Sequence, residues 1–220
     1  MAKAQYAILR FSKYKGPEIG RIEAHDERTK EKYASNPDVD TNRSALNFHL
    51  IQPEHSYREE AQRQIAEAGC RVRSDSVKLV EVLIGGTPSF FKDKTQEQIR
   101  EYFEHALEFL KQKQRAETFV SAVVHLDEKT SHMHVTFVPL TEDNRLSAKE
   151  SQWQSAYWEH MVSKYPDLER GESANKTDRK HIPPRVFKEM THLAKQSRKI
   201  EAVMDDANVF NAKGKLQEVE

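Results

Sequence analysis

The chain has 220 residues, of which 32% are charged, and its 35 Lys plus Arg are balanced by 35 Asp plus Glu. That length suits one sizeable core with an appendage, and the balance excludes a protein that coats nucleic acid through bulk positive charge. A single cysteine, Cys70, excludes a disulfide framework and a thiolate zinc site, and no apolar run is long enough to cross a bilayer. The N-terminal stretch has no signal-peptide core, so the expected location is the cytoplasm, with no membrane contact in this segment.

In chain order, Ala4 to Phe11 reads as a first strand, and Gly16-Pro17 opens a helix expected to run to about Tyr33. A polar loop over Ala34 to Arg43 leads into a second strand, Ala45 to Ile51. Ser56 and Glu59 form a capping box for a helix that stops at Gly69, and Val77 to Ile84 is a third strand closed by Gly85-Gly86. Thr95 and Gln98 cap a further helix whose apolar positions Ile99, Tyr102, Phe103, Ala106, Leu107 and Leu110 make one buried face. Thr118 to His125 and His132 to Val138 are β-rich runs joined by a polar link short enough for a hairpin. Beyond Pro139 the pattern gives a helix around Ala148 to Lys164, a polar loop to Pro184 and a last helix from about Arg185. The sum is an α+β fold, with helices on one side of a mainly antiparallel sheet and a helical C-terminal extension. We expect a main domain over residues 1–165 and a loop and helix over 166–220 that begin an oligomerization or linker region.

The hairpin carries the most informative residues. Side chains two apart on a strand share a face, so His132 and His134 point the same way, and the turn brings His125 back beside them. Three neutral imidazoles from adjacent strands make a facial metal site with open positions for water or a substrate oxygen, which is a catalytic arrangement. A lone histidine is more often a satisfied core or surface residue, and His49, His55, His105, His160, His181 and His192 receive that assignment. Glu128, in the connecting turn, is near enough to orient a reacting group. On the first helix, His25 shares a face with Arg21 and Arg28, whose charge disfavours imidazolium and keeps the ring neutral and nucleophilic.

Taken together, His25-Asp26-Glu27-Arg28, then Asp40-Thr41-Asn42-Arg43-Ser44-Ala45-Leu46-Asn47, then His125-Leu126-Asp127-Glu128 with His132-Met133-His134, resemble the MobV (Mob/Pre) family of plasmid mobilization relaxases. The resemblance implies an HUH-type endonuclease fold in which an antiparallel sheet carries the histidines and helices lie behind it. It implies nicking and rejoining of one strand at a plasmid origin of transfer through a covalent protein–DNA intermediate. By this likeness His25 is the nucleophile, Arg28 its phosphate-holding neighbour and Glu128 its acidic partner, while His125, His132 and His134 hold a divalent ion. Manganese is the first expectation, with Mg2+, Co2+, Ni2+ or Zn2+ as alternatives. Arg21, Arg43, Asn47 and Arg73 are the expected DNA contacts.

Expected partners are single-stranded or supercoiled origin DNA and the conjugative coupling machinery. A homodimer is a further expectation, because Val186, Met190, Leu193, Ser197, Ile200, Met204 and Ala207 alternate four and three apart as in a heptad seam. The family commonly has Asn where Asp26 stands and Thr-Pro in the turn where this chain has Lys129-Thr130-Ser131. Members usually continue into a long C-terminal region, so a chain of this length looks like a trimmed catalytic module. Two rivals are a replication initiator or transposase of the same fold with a tyrosine nucleophile, for which Tyr157 or Tyr165 would serve, and a non-catalytic DNA-binding protein with a structural metal.

Overall fold

A computed structural model describes residues 4–30, 36, 38–149, 153–171 and 184–206. Its first compact unit, Met1–Gly171, is built on a six-stranded sheet of order β2-β4-β5-β3-β1-β6. The strands are β1 (Gln5–Tyr14), β2 (Phe48–Ile51), β3 (Leu79–Gly86), β4 (Phe119–His125), β5 (His132–Phe137) and β6 (Leu168–Glu169). The helices of this unit are α1 (Ile19–Asp26), α2 (Tyr57–Glu67), α3 (Pro88–Phe91), α4 (Gln96–Lys113) and α5 (Trp153–Lys164). The second unit, Glu172–Glu220, contains α6 (Pro184–Asp206).

Strand alternation sorts the side chains into two faces. On one face Leu9, Val80, Val82, Ile84, Met133, Val135 and Phe137 pack against Tyr102, Phe103, Ala106 and Leu110 of α4 and Tyr157 and Met161 of α5. On the other, Leu79, Val120 and Val138 meet Ile19 of α1 and Tyr57, Ala61 and Ile65 of α2. Helices therefore cover both faces, not one as the sequence pattern suggested, because α1 and α2 each bring a short apolar stripe to part of the second face. That second face also carries His132, His134 and their register partners, beside the C-terminal end of α1.

The sheet is mixed: β1 to β5 pair antiparallel, but β6 adds a parallel edge pairing of Gln5 with Leu168 and Tyr6 with Glu169. Two residues are too few to show a periodic signal, so this strand was not visible in the polar loop. α1 also ends at Asp26, well short of Tyr33, and residues 41–46 form a 3-10 turn that shortens β2 at its start. Both capping boxes form as expected, and Gly69 takes φ 59° just past α2, where a residue without Cβ avoids the left-handed penalty.

Because the Thr95 hydroxyl satisfies an otherwise unpaired N–H of α4, Thr95→Ala should cost about 1 kcal/mol in stability. Urea denaturation checks this, with the midpoint falling while the slope stays constant.

Candidate functional site

The site is a cluster of four histidines. His125 and His132 are direct register partners across the β4–β5 hairpin, and His134 lies two residues further along β5 beside Val123 and Leu83. Their ring centroids are 4.9 to 5.2 Å apart. From the end of α1, His25 brings a fourth ring to 5.7 Å from His125 and 5.3 Å from His134.

Each hairpin histidine has one nitrogen committed to a protein acceptor. His125 Nε2–H donates to the Asp26 carbonyl at 2.8 Å, one of the carbonyls left without an intrahelical partner at the end of α1. His132 Nδ1–H donates to the Thr130 carbonyl at 2.8 Å, and His134 Nδ1–H to the Glu81 carboxylate at 2.6 Å. These bonds fix the tautomers, so the lone pairs stand on His125 Nδ1, His132 Nε2 and His134 Nε2. His125 Nδ1 and His134 Nε2 are buried without a hydrogen-bond partner. Unpartnered imidazole nitrogens backed by carbonyl and carboxylate acceptors fit a divalent transition ion.

Potential ligand atoms of His25, His125 and His134 lie within 4.8 Å of one another, as do those of His125, Glu128 and His132. The three expected ligands are distributed over these two sets, which join at His125. Burial, reinforced by the neighbouring histidines, holds His125 and His134 well below the ordinary histidine range, in the neutral form that a ligand requires.

Arg28 ties α1 to this hairpin. It follows the helix with φ 52°, and its N–H donates to the His25 carbonyl while that of Thr29 reaches the Ala24 carbonyl. This is a Schellman ending with arginine in the place usually held by glycine. The conformation costs about 1–2 kcal/mol for a residue with Cβ. In return the guanidinium makes a two-pronged pair with Asp127, Nε to Oδ2 at 2.8 Å and Nη2 to Oδ1 at 2.7 Å. Nη2 also reaches Glu128 Oε1 at 2.9 Å, and Nη1 contacts the His25 carbonyl at 2.9 Å and faces its Nδ1 at 3.4 Å. Burial, with the Arg28 charge next, lowers the His25 pKa to about 4, so the ring is neutral at physiological pH.

Arg43 and Asn47 grip the hairpin turn. Arg43 donates to the Leu126 carbonyl at 2.6 Å, while Asn47 accepts from the Leu126 N–H at 2.7 Å and donates to Asp127 at 2.9 Å. Ser44 adds a bond to Asp127 at 2.7 Å. Glu128 accepts from Asn36 at 2.9 Å and stands 3.7 Å from His132 Nε2. Arg21 and Arg73 are exposed and apart from the cluster, Arg73 in the loop before the far end of β3.

The sequence reading missed Glu81, which is buried, accepts from Tyr14 at 2.6 Å and stands behind His134. A lone carboxylate in the otherwise apolar run Leu79 to Ile84 was the available signal. Asp26 is buried too, its carboxylate 3.5 Å from His134 Nδ1. Burial, and then their mutual repulsion in the case of Asp26, raise both carboxyls above the usual range. Tyr157 and Tyr165, the tyrosine alternatives, pack with α4 on the opposite side of the sheet, Tyr157 against Phe109 and Tyr165 against Phe90 and Tyr102. Neither can reach the cluster through the sheet. Tyr33 lies outside the described residues.

The fold, with helices on both faces of the sheet that carries the histidines, is that of solved relaxase domains. The chain is similar to the MobM relaxase domain solved with manganese and plasmid pMV158 oriT DNA, at TM-score 0.76 and 28% identity, covering 84% of this chain and 98% of that one. It is 35% identical over 199 residues to a plasmid recombination enzyme type 3 of Mammaliicoccus lentus, covering 84% of this chain and 48% of the relative. A type 1 enzyme of Staphylococcus aureus is also 35% identical, over 94% of this chain and 54% of its own length. The Mob_Pre model, described as plasmid recombination enzyme, matches residues 3–189, and the chain belongs to that family. It spans about half the length of the curated relatives it matches.

Burial alone would raise the Asp127 pKa, but bonds from Arg28, Ser44 and Asn47 outweigh it and hold the carboxyl well below the usual range. That stabilisation is present above the unfolded-state value near ~3.9 and is lost as pH falls toward the lower folded-state value. Asp127→Asn should cost about 3 kcal/mol at neutral pH and flatten the loss of stability below about pH 4. Denaturant unfolding across that range checks it; parallel curves for variant and wild type would remove Asp127 from the acid response.

Proposed function

We propose that the chain is the catalytic module of a relaxase that nicks and rejoins one DNA strand at a plasmid origin of transfer. The observation that carries this reading is His25, neutral and in ring contact with His125 and His134, whose outward nitrogens are buried without a hydrogen-bond partner. His125, His132 and His134 would hold the ion, with manganese favoured because MobM, a relative, is manganese-bound. When bound, the ion supplies Lewis-acid stabilisation of charge on the scissile phosphate.

A ring nitrogen of His25 forms a bond to phosphorus while the P–O3′ bond breaks. The leaving oxygen takes up a proton to become a 3′-hydroxyl, and the other ring nitrogen releases its proton. The phosphoramidate retains the 5′ end of the strand in a form that the 3′-hydroxyl can attack, so the break is reversible. Arg28 spends Nε and Nη2 on Asp127 and Glu128 and presents Nη1 toward His25. We therefore assign it first to orienting that ring and only then to the phosphate. Glu128 acts through Arg28 as a positioning residue. Arg21, Arg43 and Arg73 would meet DNA phosphates, with Asn47 setting the turn on which Arg43 rests.

The catalytic part would extend past residue 165 to Gly171, because β6 belongs to its sheet, and the residues beyond would begin a region that pairs two copies. On α6, Val186, Met190, Leu193, Ile200 and Met204 are 43 to 64% exposed at heptad spacing, which suits a second α6 as the covering surface. Ala207, the next seam position, lies outside the described residues. No helix among the described residues is long and apolar enough to cross a membrane. We place the protein in the cytoplasm, delivering its DNA to the conjugative coupling machinery.

Incubation with supercoiled plasmid carrying the cognate origin should give an open circle with Mn2+ and none with chelator. His132→Ala should lose nicking and ion binding together. A chelator-insensitive nick would remove the metal from the mechanism. Because the His25 pKa is lowered to about 4, the acidic limb of adduct formation should lie near that pH instead of at the usual histidine value of ~6.5.

A further inference from the structure

The face of the sheet that carries the histidines continues past them onto β3 and β1. His132 is paired with Gly85 and Gly85 with Ile8; His134 is paired with Leu83 and Leu83 with Arg10. Register partners share a face, so Ile8 and Arg10 point to the histidine side. Tyr6, two residues before Ile8, points the same way. Two strand spacings put Ile8 and Arg10 backbone about 10 Å from the histidines.

This strip differs from the rest of the sheet. Leu9 and Phe11, the intervening β1 residues, pack in the core against the other face, whereas Arg10 is exposed and Tyr6 is 38% exposed. Leu83 and Ile8 are half-buried, and Gly85, which is buried, contributes no side chain beside the Cβ of His132. Arg10 makes no hydrogen bond or ion pair with any described residue, unlike Arg28, Arg43, Arg63 and Arg115. The Tyr6 backbone is held in place: its N–H donates to Thr87 Oγ1 at 2.7 Å, its carbonyl accepts from the Thr87 N–H at 3.3 Å, and β6 pairs with it from outside.

We propose that Tyr6, Ile8 and Arg10, with Leu83 and Gly85, form the platform on which single-stranded DNA lies beside the histidine cluster. Tyr6 stacks on a base and Arg10 holds a phosphate. This rests on the reading that the cluster acts on DNA. The argument for that occupant is continuity with the cluster together with the composition of the strip. An exposed aromatic ring on a hydrogen-bonded strand and an unpaired cation on a row of apolar residues are what sequence-tolerant single-strand binding uses. An unpaired arginine also keeps its whole charge for a phosphate.

The test measures binding of fluorescein-labelled oligothymidylate of about 12 nucleotides to the manganese-loaded full chain, by anisotropy over a salt series. Arg10→Gln should reduce the slope of log affinity against log salt by about 0.7, the value of one phosphate contact on a single strand. Lys111→Gln, on α4 behind the sheet, should leave the slope unchanged. Tyr6→Ala should weaken binding about fivefold or more, while Tyr6→Phe keeps wild-type affinity because the ring remains. Melting temperatures and manganese titrations identify any variant that has failed to fold. If wild type binds and nicks but Arg10→Gln and Lys111→Gln shift the slope alike, or Tyr6→Ala binds as wild type does, the platform is refuted while the nicking assignment stands. If wild type nicks the origin plasmid but binds no oligothymidylate, the platform falls and the nicking assignment stands; if it also fails to nick, that assignment falls with it.

Discussion

The Arg28–Asp127 pair is the contact on which the site depends. Helix α1 and the β4–β5 hairpin are separated by about a hundred residues of chain; the helix carries one histidine of the cluster and the hairpin the other three. Beside the His125–Asp26 bond, they are joined by a buried fork between a guanidinium and a carboxylate whose side chains are 8% and 0% exposed. Such a pair is costly to desolvate, and removing one partner strands the other, commonly at about 3–5 kcal/mol. Here the charges are shared out further. Ser44 and Asn47 complete the coordination of Asp127, and Glu128 and the His25 carbonyl complete that of Arg28. The left-handed backbone at Arg28 is part of the same device. It ends α1 one residue after Asp26 and its cap, and turns the side chain back toward the hairpin.

A second constraint follows from the tautomers. Three acceptors of different kinds, a helix-end carbonyl, a turn carbonyl and a buried carboxylate, each take an N–H from one hairpin histidine. The remaining nitrogens are then acceptors by elimination, before any ion arrives. Preorganised lone pairs reduce the rearrangement needed on binding, and the acceptors behind them raise ligand basicity. Glu81 is itself steadied by the Tyr14 hydroxyl, so the chain of hydrogen bonds extends from β1 through β3 to β5. Asp26 takes part twice, through its carbonyl toward His125 and its carboxylate toward His134.

Much of this was legible in the sequence because it is periodic or local. The capping boxes at Ser56 and Thr95, the apolar face of α4 and the His-x-His alternation on β5 follow from spacing alone, and the structure has them. What spacing could not supply was partnership across the chain. Arg43 and Asn47 stood out as polar residues available to DNA, whereas their bonds go to a hairpin some eighty positions away. The end of α1 was misjudged because a charged sequence continued the helical composition past Asp26, while the cap was decided by a tertiary ion pair. Glu81 was overlooked since an isolated carboxylate in a strand has no local pattern. Arg28 was assigned to phosphate because its carboxylate partners lie about a hundred residues on.

The geometry concentrates the chemistry on one side chain. Tyr157 and Tyr165 lie in the core behind the sheet, and the hydroxyl of Tyr14 is engaged with Glu81. His25 combines a neutral ring, contact with the histidine cluster and a cation beside its Nδ1. The direct measurement is to trap the covalent protein–DNA adduct formed on a suicide origin oligonucleotide, digest it and locate the nucleotide by mass spectrometry under mildly basic conditions. The account predicts a phosphoramidate on the peptide containing His25, lost on acid treatment. A nucleotide on any tyrosine peptide, stable to acid, would contradict it.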